Sequence, residues 1–317
     1  LHVSDFHFRE RTAADSSPVL EALLTTVGEL ARAGRTVDLI FVTGDIAFSG
    51  GAGEYVLAER YLSDLCQAAG VPRKAVHLCP GNHDVNRDAG LGLMRTLESA
   101  DAALQFFLAR TRPHLAKLEN FRAFYNRFYG GERVAADGQA TALAERVQVR
   151  DVSLGILPLN TAWFAQDDSD SGRLLVGEAS VRAGLAAIEG AALRVALMHH
   201  PVADLSHLEQ RLVQDRLAER INFLLRGHLH EPVTLWLQSP YRQMMEMAVG
   251  AAYQGRVQYQ NRAMLVEVEV QSDGRSAMVR PYPLRYELTG HDRFTLDTSV
   301  FPRSYPTYLE ERPLQLG

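Results

Sequence analysis

Cysteine is scarce: Cys66 and Cys79 are the only two among 317 residues. One falls in a helical pattern and the other at a strand end, so a disulfide framework is not expected and both read as buried free thiols. No apolar run approaches the ~20 residues needed to span a bilayer. The first residues do not have the pattern of a secretory signal. The expectation is therefore a cytoplasmic chain without a membrane partner. It opens at Leu1 rather than Met, already inside a strand-like run, so it is expected to be a processed product or a piece of a larger assembly. Charge of one sign is also lacking. With 33 Lys and Arg against 38 Asp and Glu the net charge is −5, which gives no basic surface for a long nucleic-acid track and suits a small phosphate-bearing substrate better. Repeats and low-complexity segments are absent. What is present is 46% hydrophobic residues, enough to bury a large core in one elaborated domain.

Five apolar, strand-like runs each end in metal-ligand residue types. Leu1 to Ser4 leads into Asp5-Phe6-His7, Val37 to Val42 into Thr43-Gly44-Asp45, and Ala75 to Leu78 into Cys79-Pro80-Gly81-Asn82-His83-Asp84. Leu193 to Met198 leads into His199-His200-Pro201, and Ile221 to Leu225 into Gly227-His228-Leu229-His230. Pro80-Gly81 ends its strand abruptly and puts an amide, an imidazole and a carboxylate on one tight loop. The pairs Asp5/His7 and His228/His230 are spaced i, i+2, so both members lie on one side of an extended segment and can reach one centre. Helical patterns separate the first three runs, which predicts parallel βαβ units whose carboxyl-end loops gather at one edge.

Taken together, Asp5-x-His7, Gly44-Asp45, Gly81-Asn82-His83-Asp84, His199 and Gly227-His228-x-His230 resemble the calcineurin-like metallophosphoesterase signature in its order, most closely in the style of the cyclic-nucleotide phosphodiesterase branch. The resemblance covers residues 5 to 230 and implies an α/β fold, a four-layer α/β/β/α sandwich of two mixed sheets flanked by helices. It implies two divalent metal ions with Asp45 as the bridge. Asp5, His7 and His230 would complete one metal position, and Asn82, His199 and His228 the other. His83 would be catalytic, with Asp84 holding its imidazole in orientation. The implied reaction is phosphodiester hydrolysis by a metal-bridging hydroxide, with a small phosphate ester such as a cyclic nucleotide as substrate. A nuclease, a phosphomonoesterase and a non-catalytic interaction module on the same fold are the alternatives. Imidazoles, carboxylates and one amide without thiolate favour Mn or Fe, with Zn or Ni also suited, over calcium or a sulfur-bound zinc.

His200 neighbours His199 and is left as a residue behind the ligands. His2, His77, His114, His207 and His291 match no motif and read as core or surface. Arg9, Arg87 and Arg226 lie near ligands in sequence and read first as surface or ion-pair residues.

Elsewhere Ser17-Pro18 predicts the start of a helix that ends at Gly34, and Tyr55 to Leu65 a second helix closed by Gly70. Residues 85 to 135 read as a helical insertion, broken at Pro113 and stopped at Gly130-Gly131. Its aromatic face of Phe106, Phe107, Phe121, Phe124, Tyr125 and Phe128 is expected to pack against the body. The first sheet is expected to resume over 142 to 160. Gln166 to Gly172 reads as a solvated acidic loop. Glu178 to Glu189 and Ser206 to Arg220 are expected helices, and three strands beyond Pro232 (Met244 to Val249, Met264 to Val270, Met278 to Tyr286) are expected to build a second sheet. The metallophosphoesterase domain is expected over 1 to 290. Residues 291 to 317 form an extended tail, with Phe294, Phe301, Tyr305, Tyr308 and Leu309 laid over the body or over a second copy in a homo-oligomer.

Overall fold

Strands that are apolar along their whole length need cover on both faces. The first three strands, β1 (His2–Val3), β2 (Ile40–Thr43) and β3 (Val76–Cys79), are of that kind apart from His2, Thr43 and His77, and are almost wholly buried. They pair in parallel, Val3 opposite Val42 and Val42 opposite Leu78. Helices α1 (Ala13–Arg32) and α2 (Ala52–Ala69) are the crossovers between them. These features come from a computed structural model, which describes residues 1–109, 112–133, 143–167, 169–238, 243–255, 260–288, 292–300 and 312–316.

Helix α2 closes at Gly70 as its sequence predicts. Helix α1 does not start where expected: it begins at Ala13 and carries Pro18 inside it. The Ser17 hydroxyl donates to Glu21 Oε1 at 2.5 Å, one turn on, instead of capping an amide. Pro18 is the sixth residue of this helix, where it forgoes one helical hydrogen bond, and the helix continues through it.

The insertion contains α3 (Ala100–Leu108) and a 3-10 turn from Pro113 that runs directly into α4 (Glu119–Phe128), which stops before Gly130-Gly131. Its aromatics are packing residues. Phe121, Phe124 and Phe128 join the core of Tyr55 and Tyr61, and Phe107 closes a smaller cluster with Trp163 and Phe164.

After the insertion the chain does not return to the first sheet. β4 (Glu145–Val149) and β5 (Val152–Pro158) found a second one, to which β6 (Leu193–Leu197), β7 (Phe223–Arg226), β8 (Val233–Gln238) and β9 (Gln243–Ala248) add in the order β4-β5-β6-β7-β9-β8. The expectation that residues 142 to 160 rejoin the first sheet is thus corrected. So is the expectation that the strands beyond Pro232 make a sheet of their own. Only β8 and β9 stay in the second sheet, while β10 (Arg262–Val270) and β11 (Ser276–Glu287) cross back, β10 pairing antiparallel with β1. Two short strands near the C-terminus, β12 (Arg293–Leu296) and β13 (Arg312–Gln315), both pair with β11. The expectations for Asp168, His291, Phe301, Tyr305, Tyr308 and Leu309 fall outside the described residues.

The inner faces of the two sheets meet through Cys79, Met264 and Val279 on one side and Ile156, Val195, Leu225 and Met247 on the other. Helices α1 and α2 cover the first sheet, and α5 (Glu178–Ala187) with α6 (Gln210–Arg220) the second. The result is a four-layer α/β/β/α sandwich. Both cysteines are buried and free. No helix among the described residues is long and apolar enough to cross a membrane.

Candidate metal centre

The parallel strands β1, β2 and β3 of one sheet and β6 and β7 of the other deliver their carboxyl-end loops to the same rim, as expected for an α/β sandwich. The backbone there is strained. Asp5, His7, Asp45, His228 and His230 all have positive φ, between 49° and 74°, and the only other described non-glycine residue of this kind is Arg150, in the turn between β4 and β5. A branched backbone holds this conformation at a cost of about 1 to 3 kcal/mol per residue, and such residues concentrate where side-chain aim matters. At Gly44 the approach is closer than any side chain allows: a Cβ there would lie 2.6 Å from His199 Nδ1.

Asp45 sits at the centre, essentially buried. Its Oδ2 lies 3.4 Å from His7 Nε2 and 3.1 Å from His199 Nε2, and its Oδ1 accepts the His83 amide at 2.8 Å. Asp5 Oδ1 is 3.1 Å from His230 Nε2, and Asp5 Oδ2 accepts the His228 amide at 3.3 Å. Asn82 Oδ1 is 3.1 Å from His199 Nε2. Backbone carbonyls fix two of the imidazoles from behind, Thr43 O at 2.7 Å from His199 Nδ1 and Tyr253 O at 3.3 Å from His7 Nδ1. A carbonyl can only accept, so Nδ1 carries a proton and Nε2 is the nitrogen turned inward, the usual way a ligating histidine is held.

The electrostatics follow from packing two carboxylates and several imidazoles out of water. Burial pushes the Asp45 carboxyl up, but the His199 and His7 rings more than reverse this and hold it well below the ordinary carboxylate range. Burial lowers His199, and Asp45 outweighs it, raising the ring to about 9. His228 goes the other way, pushed down to about 4 by burial and the neighbouring His199. One further carboxylate that the sequence did not single out stands near: Asp204 Oδ2, 3.7 Å from His228 Nε2.

His83 is half-buried beside this cluster, its ring 4.9 Å from that of His7. The expected helper is not Asp84. The Asp84 carboxylate is fully buried and accepts from the amides of Ile46, Ala47 and Gly81 and from the Tyr55 hydroxyl, pinning the β2 and β3 loops to each other and to α2. His83 is held by Phe48, whose carbonyl lies 2.7 Å from Nδ1 and whose ring stacks on the imidazole at 5.1 Å. Phe48 left no sequence signal, because a carbonyl acceptor has no residue type. Arg9 lies over the Phe48 ring at 3.3 Å, and Arg226 is buried against Glu246 at 2.5 Å, an ion pair as expected. His2, His77 and His114 are buried away from the cluster and His207 is exposed, matching their assignment to core or surface.

Four overlapping groups in this cluster offer ligand atoms within 4.8 Å of one another: Asp5/His7/His230, Asp5/Asp45/His199, His7/Asp45/His83 and His199/His200/His228. Carboxylate oxygens shared between neighbouring groups, with imidazole nitrogens around them and no thiolate, suit a pair of divalent transition ions. The family model for calcineurin-like phosphoesterases matches residues 1–232. The chain belongs to that family. Calcineurin-like phosphoesterases are dinuclear metal-dependent phosphoesterases, and the donor set on this rim fits such a pair. A metallophosphoesterase-like protein of Bacillus subtilis (strain 168) named YydB, itself uncharacterized, is 24% identical over 242 residues. That alignment takes in 73% of this chain and 48% of YydB, so the chain spans about half the length of this relative. Among solved structures, a hypothetical protein of Thermus thermophilus aligns over 90% of this chain and 98% of its own, with a TM-score of 0.47 and 14% identity. A 5'-nucleotidase precursor of the same organism aligns over 99% of this chain and 53% of its own, with a TM-score of 0.44 and 12% identity.

Proposed function

We propose that this chain hydrolyses the phosphodiester bond of a small nucleotide-type substrate. The observation that carries the reading is Asp45 Oδ2 lying between His7 Nε2 and His199 Nε2, with the His83 imidazole beside the same group. Asp45, Asp5, His7 and His230 would hold one ion, and Asp45, Asn82, His199 and His228 the other. When bound, such a pair supplies an activated water and neutralises charge on the phosphoryl oxygens.

The chain's own residues do the rest. Asp45 sets the separation of the two positions because its carboxylate is shared. Thr43 and Tyr253 keep their histidines in the ligating tautomer. His83, with Nδ1 anchored on Phe48, has Nε2 left to act, and there it would stabilise the phosphoryl charge or hand a proton to the leaving oxygen. A diester carries one negative charge and a monoester up to two. The extra charge asks for further cationic side chains, and Arg226 is taken by its ion pair with Glu246, which supports the diester. The modest net charge favours a small substrate over a long nucleic acid.

Comparing bis-p-nitrophenyl phosphate with p-nitrophenyl phosphate under Mn²⁺ tests the reading. Faster turnover of the diester is expected. Faster turnover of the monoester would replace the diesterase reading with a phosphatase one, and no turnover of either with two ions bound would point to a binding module. Cyclic nucleotides, dinucleotides and single-stranded DNA would then be compared as substrates.

A further inference from the structure

His200 stands outside the ligand set just assigned, yet its position is that of a ligand. It is buried to 2% exposure directly after His199. Its ring lies 4.8 Å from that of His199 at a right angle and 4.5 Å from that of His228. Its Nδ1 is 2.7 Å from Thr161 Oγ1, in the loop that leaves β5. Its Nδ1 and its backbone amide both bond to Thr161 Oγ1, and neither bond involves Nε2. The ligating nitrogens of His199, His200 and His228 lie within 4.8 Å of one another, close enough for one cation to touch all three. An imidazole held at one nitrogen by a hydroxyl beside two more imidazoles resembles His199, where a carbonyl does the holding; the hydroxyl can accept the Nδ1 proton as the carbonyl does, and in that tautomer Nε2 carries a lone pair.

We propose that His200 is an additional nitrogen ligand at the metal position of His199 and His228, and that it makes the two positions unequal. The position of Asp5, His7 and His230 keeps a balanced oxygen and nitrogen set. The other gains a third imidazole, which suits zinc, nickel or cobalt better than manganese. Thr161 acts through His200 as its positioning residue. This inference rests on the dinuclear reading above and concerns which ion each position takes.

The test is metal binding, read without turnover. Metal-free protein is titrated with Zn²⁺ and separately with Mn²⁺. Affinities come from competition with a chelating dye, stoichiometry from elemental analysis, and the donor set from the visible absorption of the Co²⁺ form. In His200→Gln one of the two zinc equivalents is expected to weaken by at least ~100-fold while the other is unchanged, because losing even an outer partner of a ligand commonly costs 10- to 100-fold. Manganese should shift far less, and the Co²⁺ bands should weaken as water replaces a nitrogen. Thr161→Val should lower zinc affinity by ~10-fold with its fold intact, and it carries the test if His200→Gln does not fold. Two zinc equivalents bound with unchanged affinity and an unchanged Co²⁺ spectrum in these variants would overturn the role of His200 alone. Fewer than two equivalents in the unaltered protein would overturn the dinuclear reading together with it.

Discussion

The hydroxyl of Tyr55, in the first turn of α2, donates to Asp84 Oδ1 at 2.9 Å, and through that carboxylate the helix holds the β2 and β3 loops in register. Tyr55→Phe keeps the ring and removes one donor from a fully buried acceptor. A loss of about 1 to 3 kcal/mol in unfolding free energy is expected, measured by urea denaturation. A change within experimental error would mean that the three amides already satisfy Asp84 and that the tyrosine contributes only packing.

The two central side chains should separate binding from chemistry. Asp45→Ala removes the carboxylate that the two proposed positions would share, so both ions and nearly all turnover should be lost together. His83→Ala leaves every proposed ligand in place and should retain two ions per chain while kcat falls by roughly 10² to 10⁴-fold. Elemental analysis beside steady-state kinetics reads both. Full rate in His83→Ala would remove the imidazole from the chemistry.

Gly44 and Gly34 both have positive φ, 92° and 82°, but a Cβ at Gly34 meets nothing within 4 Å whereas one at Gly44 strikes His199. Gly34→Ala should therefore cost only the backbone term, about 1 to 2 kcal/mol, with ion content unchanged. Gly44→Ala should cost more and also release an ion, because the β2 loop or the His199 ring must move. Equal effects of the two substitutions on ion content would show that the contact at Gly44 is not limiting.

Lys117 is buried in the insertion with Nζ 2.7 Å from the Ala165 carbonyl, and burial lowers its pKa from 10.5 to about 8. In the unfolded chain the amine stays protonated up to the higher value. Between about pH 8 and 10.5 the unfolded state thus binds more protons than the folded one, and stability rises with pH at up to about 1.4 kcal/mol per unit. Below pH 8 the penalty for burying the charge is present in full. The difference in unfolding free energy between the native chain and Lys117→Met, followed from pH 7 to 10, should shift steadily in favour of the native chain. A flat difference would mean that Lys117 titrates normally.

Sequence alone named the residues that come together on this rim because they are distinguished by chemistry. Aspartate, asparagine and histidine at the ends of apolar runs are few, and their side chains carry the signal. It failed on Phe48 and Thr161, which act through a backbone carbonyl and a hydroxyl and carry no ligand signature. It misassigned Asp84 for a related reason: adjacency to His83 suggested a partnership, but the tight turn points the carboxylate back into its own loop. The sheets were misjudged where pairing is long-range. Nothing within β4 or β10 says which sheet it joins, since that depends on edges made by distant segments. Strands β8, β12 and β13 were missed because they are short or flank an irregular stretch and take their place by pairing with a strand already formed. The start of α1 was misread because Ser17-Pro18 has the local form of a cap.

The left-handed backbone at Asp5, His7, Asp45, His228 and His230 makes the rim a place where selection for durability and selection for activity pull apart. Glycine would sit there with less effort, so replacing any of the five by glycine should raise the melting temperature while removing a proposed ligand.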